Sequence, residues 1–226
     1  MSLLSRLDGS LIVSVQAEAG SPMNDPRVIA AMAAASLANG AGGLRVEGAD
    51  RIAAVRRITD APLIGIVKRS YAGFEPYITA GLREVAECAA AGADVVAFDA
   101  TARERPGGTV AAMVAAIHAR GALAMADCAE LGELRAAAAA GADIVATTLC
   151  GYTSATRGTE LPAVELLRAA AGISALLICE GGVATPADVR NVFAAGAQAV
   201  VIGTAITNVD RLAFGFAAAV RAAVGR

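Results

Sequence analysis

A chain of 226 residues with 56% hydrophobic and 18% charged residues has material for a large core and too few charges for a disordered segment. Its net charge of −2 excludes a general nucleic-acid or polyanion binder, so an anionic ligand must be met locally. Charges or glycines interrupt every apolar stretch before the roughly 18 residues that a membrane span requires, and the opening MSLLSRLDGS lacks the apolar centre of a secretory signal.

In chain order, eight short β-type runs alternate with helical stretches: 11–16 (LIVSVQ), 42–47 (GGLRVE), 63–68 (LIGIVK), 94–99 (DVVAFD), 123–128 (LAMADC), 144–149 (IVATTL), 175–180 (ALLICE) and 199–204 (AVVIGT). Between strands one and two, Asp25-Pro26 marks a helix start. Between strands four and five, Val110, Met113, Val114 and Ile117 fall at i, i+3, i+4 and i+7 and predict one apolar helical face, with His118 at its edge as an ordinary surface residue. After strand seven, Thr185-Pro186 opens a helix and Asp188 completes a capping box. A phrase related to AGAD recurs before strands two, four, six and eight, with glycines at 40, 92, 141 and 196 placed to end helices.

Nearly continuous apolar strands joined by helices predict a parallel sheet covered on its outer face. Eight such units at a regular period favour an α/β fold of one kind, a closed (β/α)8 TIM barrel, over an open doubly wound sheet, with residues 1–226 forming a single domain. The four cysteines (Cys88, Cys128, Cys150, Cys179) show no CxxC pairing and read as small buried residues in a reducing compartment; with one histidine, little remains to build a metal site from.

The strand-to-helix connections after strands three (69–80), four (100–108) and six (150–161) are long and hold all three tyrosines, Tyr71, Tyr77 and Tyr152. In a barrel these loops crowd one rim, where active sites form. Polar residues end nearly every strand there: Gln16, Arg45 and Glu47, Lys68, Asp99, Asp127, Thr148, Glu180 and Gly203-Thr204. Strands three and seven lie opposite each other in an eight-membered ring, so Lys68 and Glu180 face one another, as do Gln16 and Asp127 on strands one and five. Two acid–base groups on opposite sides of a bound carbon suit inversion of a stereocentre α to a carbonyl, one removing a proton and the other returning one. Arg45 is a cationic neighbour that can lower the lysine's pKa or meet a developing oxyanion. The alternative for the pair is a salt bridge that plugs the mouth.

Gly181-Gly182 and Gly203-Thr204 leave backbone N–H groups open after the last two strands, where barrels of this kind seat phosphate, and Arg211 lies just beyond. These turns match neither GxGxxG nor a Walker loop, so no nucleotide is implied.

Taken together, VSVQA (13–17), GLRVEG (43–48), PLIGIVKRSY (62–71), YIT (77–79), DATARERP (99–106), MADC (125–128), TTLCGYT (147–153), EGGVATP (180–186) and GTAIT (203–207) resemble the N-acetylmannosamine-6-phosphate 2-epimerase family. The resemblance covers essentially the whole chain. It implies a barrel, usually a homodimer, that interconverts N-acetylmannosamine 6-phosphate and N-acetylglucosamine 6-phosphate without an organic cofactor, in sialic acid and amino-sugar catabolism in the bacterial cytoplasm. The family's catalytic lysine and glutamate match Lys68 and Glu180. Its substrate-contacting residues match Gln16, Arg45 and Asp127, and its phosphate-binding elements match Gly182, Gly203, Thr204 and Arg211. Ser70, Val15 and Cys150 depart from residues common in the family, and none of the three is a proposed acid or base. Two other readings stay open on the residues: a Schiff-base aldolase or lyase with Lys68 as nucleophile, and a non-catalytic phosphosugar-binding barrel.

Overall fold

The computed structural model describes residues 2–225; Met1 and Arg226, the ends of the expected 1–226 span, lie outside the described residues. A short helix α1 (Leu3–Leu7) precedes β1 (Leu11–Val15), α2 (Pro26–Ala38), β2 (Gly43–Glu47), α3 (Ala49–Arg56), β3 (Leu63–Ile66), α4 (Leu82–Ala90) and β4 (Val95–Asp99). The second half runs α5 (Val110–His118), β5 (Leu123–Asp127), α6 (Leu131–Ala139), β6 (Ile144–Ala146), α7 (Val164–Ala170), β7 (Leu176–Glu180), α8 (Pro186–Ala194), β8 (Ala199–Ile202), α9 (Thr204–Thr207) and α10 (Val209–Ala223). Every strand pairs in parallel with the next and β8 returns to β1, so the sheet closes into the expected barrel.

All eight predicted strands form, with trimmed ends. The largest differences are β6, which stops at Ala146, and β3 and β8, which stop at Ile66 and Ile202. The reason at β3 is local. The following loop folds back on it, Thr79 N–H donating to the Val67 carbonyl and Val67 N–H to Thr79 Oγ1, so Lys68 pairs antiparallel with Ile78 and leaves the barrel ladder. Helix punctuation follows the sequence. Thr185 and Asp188 make the capping box of α8, and Asp25 caps α2 with Pro26 in its first turn. The repeat glycines 40, 92, 141 and 196 all adopt positive φ just after helices, a conformation that a side chain at those positions would strain.

Side-chain alternation divides the core in two. Outward-facing strand residues such as Val13, Leu44, Val96, Phe98 and Val145 pack against the helices. Inward-facing ones (Ile12, Ile64, Ile66, Val95, Met125, Ile178) fill the barrel, with Leu7 of α1 plugging its lower end. The interior is therefore solid, a packed core rather than a pore.

The four cysteines are free and buried, and burial pushes the thiols of Cys88 and Cys179 up to about 12. They are packing residues. His118 sits exposed at the edge of α5, with Nε2 2.8 Å from Asp143 Oδ2. No described helix is long and apolar enough to cross a membrane.

Candidate active site

The same parity that fills the barrel builds its mouth. Stepping two residues on from the interior positions Ser14, Gly43, Ile66, Ala97, Met125, Ala146, Ile178 and Val201 leads to Gln16, Arg45, Lys68, Asp99, Asp127, Thr148, Glu180 and Gly203. Seven of the eight positions carry a polar side chain to one rim, Gly203 contributing backbone instead, and Lys68 arrives there on the ribbon beyond β3.

Arg45 is the hub. Its guanidinium is 1% exposed and meets Asp127 in a two-pronged pair, Nη1 to Oδ1 at 3.0 Å and Nη2 to Oδ2 at 2.7 Å. Nη1 also donates to Glu180 Oε2 at 2.8 Å. Burial works against the arginine's charge, but the Asp127 and Glu180 carboxylates outweigh it and hold its pKa above the ordinary value. Glu180 pairs with Arg45 rather than with Lys68. Among the described residues no Lys68–Glu180 ion pair closes the mouth, so the plugging alternative does not hold in this structure.

The Glu180 side chain is only 14% exposed, and that desolvation raises its pKa to about 7. Arg45 opposes the rise, the neighbouring charge of Asp127 adds to it, and the Thr148 hydroxyl and Lys68 draw it back. Thr148 Oγ1 lies 2.7 Å from Asp127 Oδ1 and 3.2 Å from Glu180 Oε2. One hydroxyl has one proton, so Thr148 donates to Asp127 or to Glu180 but not fully to both, and when it donates to Asp127 it can only accept from a protonated Glu180. Thr147 fixes the Glu180 backbone, its hydroxyl donating to the Glu180 carbonyl at 3.0 Å and accepting the Glu180 N–H at 3.2 Å.

Lys68 reaches the rim from the ribbon beyond β3, and it is the one lysine among the chain's 19 lysines and arginines. Its pKa is lowered, first by partial burial and then by Arg45, against the carboxylates of Glu47, Glu180 and Glu18. The expected influence of Arg45 is real but secondary to desolvation. An amine drawn toward neutrality can give up and take back a proton.

Gln16 follows β1, half-buried, with Nε2 donating to Ser14 Oγ at 2.7 Å. Asp127 is fully buried, and both of its oxygens are engaged by Arg45 and Thr148. It reaches the mouth only through those two residues. The family resemblance implies a substrate contact for Asp127; here the observed partners of its carboxylate are Arg45 and Thr148. Asp99, also read as a mouth residue, turns away from that use: its oxygens accept from Thr101 and from Arg103, whose guanidinium continues to Glu75 and ties two rim loops together.

On the far side of the rim lie the glycine turns. Gly182 has φ +76°, and a Cβ there would run into Leu161. Gly203 precedes the four-residue α9, and a Cβ on it would press on Ser14 Cβ at 3.2 Å. No described backbone carbonyl accepts from the N–H of Gly181, Gly182, Gly203 or Thr204. Arg211 stands exposed at this edge, its Nε on Glu18 Oε1 at 2.9 Å. Tyr152, 63% exposed, has its ring 3.7 Å from where a Cβ on Gly181 would lie, and Tyr77 is exposed elsewhere in the long loops.

Sequence reasoning singled out neither Thr147 nor the bridging role of Thr148. The signal for both was a pair of polar β-branched residues at the end of an apolar strand. A cavity of about 370 Å³ at the opposite end, lined by Ser2, Leu3, Leu4, Asp94, Gly121 and Leu123, has only the Asp94 carboxylate, already paired with Arg56. Among the described residues no three His, Cys, Asp or Glu side chains converge as a metal site.

Comparison with known proteins points the same way as this geometry. Residues 29–222 match the family model described as "Putative N-acetylmannosamine-6-phosphate epimerase". A Yersinia pseudotuberculosis protein described as "Putative N-acetylmannosamine-6-phosphate 2-epimerase" is 43% identical over 220 residues, 97% of this chain and 94% of that protein. The solved N-acetylmannosamine-6-phosphate 2-epimerase of Clostridium perfringens superposes with a TM-score of 0.92 at 36% identity, covering 96% of each chain. Nitroalkane oxidase from Streptomyces ansochromogenes, at 22% identity and a TM-score of 0.65 over 91% of this chain and 68% of its own, shares the fold alone.

Proposed function

The chain belongs to the N-acetylmannosamine-6-phosphate epimerase family, and from that premise we propose how its barrel mouth performs 2-epimerisation. The enzyme is a carbohydrate isomerase acting on N-acetylmannosamine 6-phosphate. Inversion at C2 gives N-acetylglucosamine 6-phosphate. In the ring-opened sugar C2 carries the acetamido group and adjoins the C1 aldehyde, so loss of its proton leaves an enolate. The substrate's own carbonyl is the electron sink, and the chemistry calls for no organic cofactor.

One pairing carries the reading: Glu180 on β7, a carboxyl group with its pKa raised to about 7, and Lys68 beyond β3, four strands away in the ring of eight. One removes the C2 proton from one face and the other returns a proton to the opposite face. Arg45 orients Glu180 and, with Gln16, meets the enolate oxygen, while Asp127 acts by holding Arg45. The open N–H groups at Gly182, Gly203 and Thr204, with Arg211, grip the phosphate. That remote binding energy orients C2 between the two groups. The setting implied by the family is cytoplasmic sialic acid and amino-sugar catabolism.

Turnover in D2O is expected to place one deuterium at C2 of the product, read by proton NMR. Product that keeps its C2 proton would overturn the deprotonation mechanism.

A homodimer is part of the reading, and α10 supports it. No residue of this helix is buried, and Val209, Phe216 and Val220, followed by Val224, form an exposed stripe at i, i+7, i+11 and i+15. A second copy would cover it. Phe216→Glu is expected to shift the protein from dimer to monomer in sedimentation or light-scattering measurements; an unchanged dimer would remove α10 from the interface.

A further inference from the structure

We propose that Glu47 is a positioning residue for Lys68, a carboxylate clamped by Arg51 that fixes the lysine's backbone and holds its side-chain charge at the mouth. The proposal rests on the reading of Lys68 as one half of the acid–base pair.

Glu47 is the last residue of β2 and shares the inward parity of Arg45. Its two oxygens have separate tasks. Oε1 accepts the backbone N–H of Lys68 at 3.4 Å, and Oε2 meets Arg51 Nη2 at 2.6 Å. Arg51 Nε also donates to the Glu47 carbonyl at 2.7 Å, so one guanidinium grips both the side chain and the backbone of the same residue. That grip requires the guanidinium to lie over Gly48. This glycine has φ +90°, and any Cβ there would collide with the Arg51 side chain. The run Glu47-Gly48 with Arg51 four residues on is thus a built clamp, with Glu47 side chain only 20% exposed.

The other charges around Lys68 are otherwise engaged. Glu180 is held by Arg45, Glu18 by Arg211 and Asn208, and Arg45 repels the ammonium. Of these carboxylates only Glu47 accepts a described hydrogen bond from Lys68, through the lysine's backbone N–H. Of the carboxylates that oppose its neutralisation, Glu47 exerts the strongest pull. A lysine that must take a proton from carbon in one direction needs its ammonium form stabilised, and in the other direction needs it aimed. A clamped carboxylate at the base of the side chain supplies both. A merely local helix-start pair between Glu47 and Arg51 would supply neither.

Because Lys68 is the only lysine, labelling with lysine carrying 13C at Cε gives one side-chain resonance whose titration reports this residue alone. In Glu47→Gln its midpoint is expected to fall by about one pH unit, as for loss of a nearby opposite charge, with the high-pH limb of kcat moving down in parallel. Arg51→Met keeps the carboxylate but removes its clamp and a positive charge, so the midpoint is expected not to fall while kcat drops approximately tenfold. A Lys68 midpoint that is the same in wild type and Glu47→Gln overturns the proposal. Failure of the underlying reading looks different: Lys68→Met would then retain turnover, whatever the titration shows.

Discussion

Lys68→Met and Glu180→Gln are each expected to lower kcat for N-acetylmannosamine 6-phosphate by about 10²–10⁴-fold, the range for loss of a positioned acid or base, while binding of the phosphosugar changes little. The two substitutions lie on opposite sides of the barrel mouth. Exchange of the C2 proton with solvent separates them. Each variant is expected to lose exchange from the epimer whose proton it removes, so one NMR time course from each sugar assigns the faces. Full turnover in either variant would falsify the assignment.

The pH dependence follows from counting protons. In one direction the working pair is neutral lysine with protonated glutamic acid, and in the other it is ammonium with carboxylate. Both forms carry a single proton on the pair. Activity is therefore expected to fall in acid as a second proton is added, with a limb near pH 7 set chiefly by Glu180, and to fall in base below the ordinary lysine value as the last is lost. The limbs belong to the pair and should be the same from either sugar.

The second large effect is on stability. Asp127→Ala leaves the Arg45 guanidinium, 1% exposed, with Glu180 as its one remaining carboxylate. Breaking a buried pair by removing one partner costs about 3–5 kcal/mol, which for a chain of this size lowers Tm by on the order of 10 °C. Asp127→Asn keeps the shape and removes the charge that helps raise the Glu180 pKa, so its acid limb is expected to move to lower pH. Adding Arg45→Met to Asp127→Ala should recover much of the lost stability without recovering activity. Thermal denaturation followed by circular dichroism measures both; an unchanged Tm in Asp127→Ala would show that the Arg45–Asp127 pair does not hold the mouth together.

The strand ends were legible because two simple periodicities governed them. Apolar runs at regular spacing marked eight strands, and alternation carried polar side chains from seven of them to the same rim. Lys68 and Glu180 could be set opposite each other by counting strands alone. The helix signals at Asp25-Pro26 and Thr185 to Asp188 were equally local, resting on hydrogen bonds within a few residues.

What sequence could not supply was the division of labour among those polar residues. Gln16, Arg45, Asp99, Asp127 and Glu180 look alike as strand ends, yet Asp99 ties loops together, Asp127 holds Arg45, and Arg45 holds Glu180. That sorting depends on which guanidinium reaches which carboxylate across 82 and 135 residues of chain. It depends also on how deeply each group is buried, which no pattern of neighbours in sequence encodes. Glu180 is the clearest case: its identity and its strand were given by residues 175–185, but its pKa near 7 arises only where the closed barrel takes it out of water beside Asp127 and Arg45. Local periodicity determines where the chain delivers its functional groups; tertiary burial and long-range pairing decide which of them are free to react.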